Sequence, residues 1–251
     1  MTLFDLHGKI AIITGSTRGI GLAIARAFRD HGAQVVISSE NAEDCASVGR
    51  ELGALALPAD VADPDQLAAL VDKTVDHHGG IDIVICNAGI TGRPGPFATV
   101  DMADFDRVMA INLRSQVELC NLALPHIAGR GGGSAILISS LSGLRGNGAI
   151  NAYALAKAGV AQLARNLAVE WGPRSVRVNA ISPGFIRTEL SAPLIADPAF
   201  MQRRMAMTPL RRPGEVHEVA GAALFLASAA GGFVTGHNLV VDGGTLITDG
   251  S

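Results

Sequence analysis

Lys9-Ile-Ala-Ile-Ile-Thr14-Gly-Ser-Thr-Arg-Gly-Ile-Gly21-Leu-Ala-Ile-Ala-Arg-Ala-Phe28 is the stretch that decides the fold. Lys9–Thr14 is a short apolar run with the composition of a buried strand, and Ile20–Arg29 places apolar residues at helical spacing. Glycines at 15, 19 and 21 fill the turn between them, in the pattern G-x-x-x-G-x-G rather than G-x-G-x-x-G. Either pattern permits a tight turn, close approach of backbone to a ligand and a helix amino terminus aimed at phosphate. Between the first strand and first helix of a βαβ unit, such a turn is a strong nucleotide signal. The predicted contact residues are Gly15, Ser16, Thr17, Arg18, Gly19, Ile20 and Gly21.

The alternation continues outward from this turn. Gln34–Ser38 reads as a strand, Ala42–Leu52 as a helix, Leu55–Pro58 as a short strand, and Pro64–His78 as a helix opened by Asp63. Ile81–Cys86 is the next strand. Two long helices, near 101–128 and 151–171, flank a strand at Ala135–Ser139, and strands at Val176–Ala180 and Leu239–Val241 follow. Alternating helices and buried β-branched strands predict an α/β fold, a doubly wound parallel sheet with helices on both faces. No repeat or linker divides residues 1–251, so a single domain is expected. Residues 184–214, with prolines at 193, 198, 209 and 213, interrupt the alternation and read as a lid or binding loop.

Hydrophobic residues make up 48% and charged residues 17%, as a sheet covered on both faces requires. A net charge of −3, no basic run and only 4% aromatics argue against a nucleic-acid partner. Cys45, Cys86 and Cys120 are widely spaced and match neither a metal pattern nor a disulfide framework, and no histidine stands at metal-ligand spacing. The first residues lack a basic segment followed by an apolar one, so no signal peptide is expected. Residues 219–241 carry no Asp, Glu, Lys or Arg, but Gly231, Gly232, Gly236, His237 and Asn238 break the run. A short helix, a turn and a strand fit it better than a membrane span, and a cytoplasmic protein is expected.

Chemistry enters at Asn151-Ala-Tyr-Ala-Leu-Ala-Lys157, with Ser140 thirteen residues before the tyrosine. On a helix, positions four apart share a face, which sets the ammonium of Lys157 beside the phenol of Tyr153. A phenol near its ordinary pKa of ~10 is a poor base at neutral pH, and an adjacent ammonium is expected to lower that value. Two further loops fall at predicted strand carboxyl ends, where open α/β sheets bind ligands: Asp60-Val61 and Asn87-Ala88-Gly89.

Together Thr14–Gly21, Asp60, Asn87-Ala88-Gly89, Asn112, Ser140, Tyr153, Lys157, Asn179 and Pro183-Gly184 resemble the short-chain dehydrogenase/reductase family, over nearly the whole chain. One departure is Cys86, where the usual N-N-A-G motif has asparagine. The resemblance implies a Rossmann-like single domain for dinucleotide binding and catalysis. It implies Tyr153 as acid-base, Ser140 holding the substrate oxygen, and Lys157 depressing the tyrosine pKa and binding the nicotinamide ribose. Asn112 would hold a water linking Lys157 to solvent, and Pro183, Gly184, Ile186 and Thr188 would contact the carboxamide. Of the neighbouring serines 139, 140 and 142, the offset to Tyr153 favours Ser140. The implied reaction is hydride transfer between nicotinamide and a ketone or secondary alcohol, without metal.

For the choice of dinucleotide, Ser39 and Glu40 close the second strand and Arg18 precedes the second glycine. A carboxylate at 40 would repel a 2′-phosphate and pair with Arg18, which favours NAD(H) over NADP(H). Apolar candidates for the pocket wall, including Ile90, Leu141, Leu144, Ile150, Phe185, Leu190, Leu194 and Met205, with Arg93 and Arg145 among the polar ones, suggest a medium-sized, largely apolar ketone. A 3-oxoacyl-carrier-protein reductase is the alternative, with Arg130 and Arg174 as candidate docking cations. A sugar or polyol dehydrogenase and a non-catalytic dinucleotide-binding protein are further readings. The resemblance also implies a homotetramer, with the tail 245–251 at an interface.

Overall fold

The structure is a computed structural model and describes residues 2–248. The first strand, β1 (Ile10–Thr14), is buried at every position, because both of its faces are covered. Next come α1 (Gly19–Asp30), β2 (Gln34–Ser38), α2 (Ala42–Leu52), β3 (Leu55–Ala56), α3 (Pro64–His78) and β4 (Ile83–Cys86). Asn41 and Asp63 open α2 and α3 as caps, each side chain accepting from two backbone N–H groups of the first turn. Pro64, at the first position of α3, needs no hydrogen-bond donor there.

The second half contains α4 (Met102–Met109), α5 (Ser115–Gly129), β5 (Gly133–Ile138), α6 (Asn151–Trp171) and β6 (Val176–Pro183), then α7 (Ala192–Ile195), α8 (Pro198–Ala206), α9 (Val216–Ala227) and β7 (Asn238–Val241). All pairings are parallel, in the order β3-β2-β1-β4-β5-β6-β7. The chain reverses direction across the sheet between β1 and β4, which opens a crevice at their carboxyl ends.

Strand residues alternate between two cores. Ile12, Val36, Val84, Cys86, Leu137 and Val178 pack toward α3, α5 and α6. Ile13, Val35, Ile37, Ile85, Ile138 and Ile181 pack toward α1, α2 and α9. Cys45, Cys86 and Cys120 are free and buried. Among the described residues, no helix is long and apolar enough to cross a membrane.

One expectation is refined and two are corrected. The helix near 101–128 is present but carries a π-helical segment, Ala110–Arg114, between α4 and α5. The third strand ends at Ala56, so Asp60 lies in the turn leading to α3 rather than at a strand end. The strand before the lid runs to Pro183, three residues beyond the expected Ala180, because Asn238–Val241 pairs with its last four residues. Residues 249–251 of the tail lie outside the described residues.

Candidate active site

The glycine-rich turn and the loop after β4 are built as one unit. The Thr14 hydroxyl accepts from the backbone N–H of Asn87 at 3.0 Å and of Ala88 at 3.2 Å. Asn87 Nδ2 donates to the carbonyls of Thr14 and Gly15, each at 2.9 Å. A Cβ on Gly21 would lie 2.2 Å from the Gly15 oxygen, so only glycine lets α1 begin this close to the turn. Helix α1 has no side-chain cap at Arg18 and no acidic residue in its first turn. Its leading N–H groups therefore face the crevice with the polarity that suits an anion.

Ser16 takes a different place from the one expected. It is fully buried, and its hydroxyl accepts from Ser38 N at 2.9 Å, so it fastens the turn to the end of β2. Val61 likewise belongs to the core, while the Asp60 carboxylate is exposed and accepts from Ala62 N at 2.9 Å.

Beside the turn, the Ser39 side chain is engaged by Thr17 Oγ1 and Asn41 N, both at 3.3 Å. Glu40 is exposed and its Oε1 lies 3.9 Å from Arg18 Nη2. The other guanidinium nitrogen, Nη1, is 3.9 Å from Glu189 Oε2. No local pattern points to Glu189, because its proximity depends on how residues 184–214 fold back. That segment contains α7 and α8, and it reaches the glycine turn, since a Cβ on Gly19 would lie 3.7 Å from Thr188 Cγ2.

The carboxyl ends of β5 and β6 carry the remaining groups. Ser139 is buried and donates to the Lys157 carbonyl at 2.6 Å, a structural bond that removes it from the site. The Ser140 hydroxyl, one residue on, accepts from Ser142 N at 3.1 Å and acts on Tyr153 in the direction that favours its ionised form. Both Tyr153 and Lys157 stand in the first two turns of α6. Lys157 Nζ lies 5.6 Å from the Tyr153 ring centroid and donates to the Ile138 carbonyl at 2.7 Å.

Burial raises the Tyr153 phenol above its ordinary pKa, with the Ser140 hydrogen bond acting the other way. The Lys157 ammonium sits against the ring, 5.6 Å from its centroid, and donates to the Ile138 carbonyl. Lys157 itself, 3% exposed, is lowered to about 8 by burial, with Cys86 opposing the shift.

Asn112 occupies the π-helical segment, a feature that recurs at functional sites because it turns a side chain out of the ordinary register. It is fully buried; Oδ1 accepts from Ile90 N at 2.8 Å and Nδ2 donates to the Ile90 carbonyl at 2.7 Å. Its side chain thus holds the loop that begins at Asn87. A Cβ on Gly89 would lie 2.8 Å from Asn112 Oδ1 and 3.5 Å from Lys157 Nζ, which explains a glycine at that point.

At the end of β6, Pro183 is buried and Gly184 N donates to the Val241 carbonyl at 2.9 Å. Ile186 is 6% exposed and bridges to Gly214, while Thr188 N donates to Ser191 Oγ at 2.9 Å. Phe185 stacks on Phe200 at 5.4 Å, which docks α8 beside the crevice. Of the expected wall residues, Leu141 is buried core and Leu190 and Leu194 are exposed.

A family profile described as enoyl-(acyl carrier protein) reductase matches residues 15–245. The cis-4-hydroxycyclohexanecarboxylate dehydrogenase of Sinomonas cyclohexanicum is 42% identical over 242 residues, covering 94% of this chain and 96% of that one. The 7alpha-hydroxysteroid dehydrogenase of Escherichia coli K12 is 39% identical over 244 residues, covering 95% and 94%. A 7alpha-hydroxysteroid dehydrogenase solved with NADH and 7-oxo glycochenodeoxycholic acid superposes with TM-score 0.91 at 38% identity, covering 96% of each chain. A gluconate 5-dehydrogenase from Burkholderia cenocepacia J2315, solved with NADP and tartrate, superposes with TM-score 0.94 at 36% identity, covering 98% of each chain. This chain therefore belongs to the short-chain dehydrogenase/reductase family, oxidoreductases that use NAD(H) or NADP(H) on alcohols and the corresponding ketones.

Proposed function

We propose that this chain interconverts a secondary alcohol and its ketone with NAD(H), using Tyr153 as the proton carrier. The observation that carries the reading is the Tyr153 phenol with the buried Lys157 ammonium against its ring and Ser140 acting on it. When bound, the nicotinamide supplies the hydride to carbonyl carbon or takes it from the alcohol carbon. In reduction, the Tyr153 phenol gives its proton to the substrate oxygen while the Ser140 hydroxyl holds that oxygen in place. In oxidation the same proton returns to Tyr153.

Lys157 has three N–H donors and a single protein acceptor, the Ile138 carbonyl, among the described residues. Its other donors suit ribose hydroxyls, and its charge suits a phenolate formed during turnover. Asn112 acts through position, holding the loop that passes over Lys157. Gly15, Thr17, Arg18, Gly19, Ile20 and Gly21 would hold the pyrophosphate side of the cofactor. Asp60, Asn87, Ala88 and Gly89 would line the adenosine side, and Pro183, Gly184, Ile186 and Thr188 the nicotinamide side.

NAD(H) is favoured because exposed Glu40 lies where a 2′-phosphate would be repelled, and Arg18 stands between two carboxylates that offset its charge. The carrier-protein alternative is weakened at both candidate docking cations. Arg130 is held by Asp82 at 3.1 Å, and Arg174 lies over the Trp171 ring at 4.2 Å. Leu155 and Val169 on α6, together with Phe233, are large exposed apolar side chains, which supports association into a homotetramer; light scattering on the eluting protein tests that. The activity is tested at 340 nm with NADH and NADPH against a ketone panel, with Tyr153→Phe as control. Turnover that survives in the control overturns the assignment.

A further inference from the structure

Arg204 and Arg145, on segments that follow the neighbouring strands β6 and β5, have no hydrogen-bond acceptor or ion-pair partner among the described residues. Arg204, on α8, is half-buried, and its Nε is buried without a hydrogen-bond acceptor. Its guanidinium lies 5.7 Å from the centroid of Phe185, the residue that follows Gly184. Arg145 is also half-buried and lies five residues beyond Ser140, in the loop that leaves β5. Strands β5 and β6 are neighbours, so the loop bearing Arg145 and the segment bearing Phe185 leave adjacent positions of the sheet.

The two guanidinium groups carry like charge on segments that follow neighbouring strands. Burial lowers the Arg204 pKa, Arg145 adds to that push, and Asp242 opposes it. Asp242 does not form an ion pair with Arg204; its carboxylate accepts from Gly244 N at 2.8 Å and Leu246 N at 2.6 Å. Among the described residues, neither guanidinium donates a hydrogen bond or enters an ion pair. Each carries five N–H donors in a fork that matches a carboxylate. Half-buried guanidinium groups without an acceptor are costly, and an anion held between the two segments relieves that cost.

We infer that the substrate of this enzyme carries a carboxylate, gripped by Arg204 and Arg145 between α8 and the loop after β5, while Ser140 and Tyr153 hold its alcohol or ketone oxygen. The apolar wall expected from the sequence then accommodates only the body of the molecule. The cofactor's phosphates are a poor candidate for this pair, since the glycine turn follows β1, three strands from β6. At ordinary strand spacing that separation is about 14 Å.

This inference rests on the alcohol–ketone reading for its turnover arm, so the test has a second arm that needs no turnover. In the first, 4-oxopentanoate, 5-oxohexanoate and 6-oxoheptanoate are each compared with their methyl esters, with NADH and with NADPH. The best acid is expected to exceed its ester in kcat/KM by about 10- to 100-fold, the range that one charge-assisted hydrogen bond supplies. That ratio should fall toward one in Arg204→Met and Arg145→Met, be partly retained in Arg204→Lys, and be unchanged in Arg203→Met, whose side chain is exposed over Phe200.

In the second arm, calorimetry measures cyclohexanecarboxylate and cyclohexanecarboxamide binding to the protein with NADH present. Binding of the acid alone, abolished in Arg204→Met, supports the site. Equal binding of acid and amide overturns the inference, as does an acid-to-ester ratio of one in the unaltered enzyme, and neutral ketones turned over in that case leave the alcohol–ketone reading intact. Acid-selective binding without turnover of any ketone supports the anion site and overturns the alcohol–ketone reading instead. A cofactor KM that rises in Arg204→Met while the acid-to-ester ratio stays fixed assigns the arginine to the cofactor and overturns the inference.

Discussion

Lys157→Met should stabilise the protein in a pH-dependent way while abolishing turnover. The lysine is 3% exposed, and its pKa in the fold is about 8 against an ordinary 10.5. A depression of that size means that the charged form is disfavoured in the fold by about 3 kcal/mol relative to the unfolded chain. The sign follows from proton counts. Between pH 8 and 10.5 the unfolded chain binds the proton and the folded one releases it, so stability rises with pH across that window. Below pH 8 both states are charged and the full penalty is present.

Methionine preserves the apolar stem but leaves the Ile138 carbonyl without the 2.7 Å donor, a cost of about 1–3 kcal/mol that does not depend on pH. The pH-dependent part therefore isolates the charge. From pH 7 to pH 9.5 the unaltered protein should gain about 2 kcal/mol on the variant. Cys86 does not confuse the comparison, because its thiol is held well above its ordinary pKa and stays neutral in this range. Tyr153 is common to both proteins and cancels to first order. Urea unfolding at a series of pH values, followed by the fluorescence of Trp171, the one tryptophan in the chain, measures the difference. A stability difference that is flat with pH, or one that moves the other way, would refute the claim that a buried, under-solvated ammonium sits beneath Tyr153.

Glu40→Arg should shift the ratio of kcat/KM for NADPH over NADH upward by at least tenfold, since it replaces a repelling charge with an attracting one beside Arg18. An unmoved ratio would show that Glu40 does not set the choice. Burial keeps Tyr153 protonated through neutral pH, so alcohol oxidation, which needs the phenolate, should climb as pH rises above 8, while ketone reduction should not. Tyr153→Phe should cost about 10²- to 10⁴-fold in either direction, and an oxidation profile flat from pH 7 to 10 in the unaltered enzyme would contradict the assignment. Gly21→Ala places a Cβ 2.2 Å from the Gly15 oxygen and 2.5 Å from Asn87 Nδ2. It should lower stability by about 1–3 kcal/mol and weaken cofactor binding together, and an unchanged Tm with unchanged Kd would show that the turn can yield.

The sheet is legible in the sequence because buried parallel strands are near-continuous apolar runs, and the helices between them show their caps as Asn41, Asp63 and Pro64. The glycine turn and the Tyr153–Lys157 spacing are legible for the same reason, since local geometry fixes them. Features set by tertiary approach are not. Ala110–Arg114 continues a helical pattern without a breaker, so nothing local announces its π turn. Ser16 and Asp60 stand at motif positions, yet Ser16 turns inward to β2 and Asp60 binds its own loop. Simple adjacency on a helix suggests that the Lys157 ammonium tunes the phenol. Its depth and its bond to Ile138, which bear on the charge of the lysine itself, do not follow from a spacing of four. Glu189 and Arg204 reach the site only because residues 184–214 fold back over it.

The two ends of the sheet treat charge in opposite ways. At the amino-terminal edge, the Asp82 carboxylate is buried and fully engaged, accepting from Ile10 N at 3.0 Å and Arg130 Nε at 3.1 Å, with Lys9 at 3.7 Å. Removing one partner from such a cluster leaves a charge uncompensated, so these residues are tied to stability. At the carboxyl edge, Lys157 has one acceptor for three donors and Arg204 has no acceptor for its buried Nε. Partly desolvated cations with unused donors weigh against the folded state, and their ring contacts at Tyr153 and Phe185 leave those donors unfilled. Oxygen-rich groups from outside the chain would complete them, in the proposed reading ribose hydroxyls at Lys157 and a substrate anion at Arg204. The deficit of acceptors thus marks the functional edge independently of motif, and it divides that edge between cofactor and substrate.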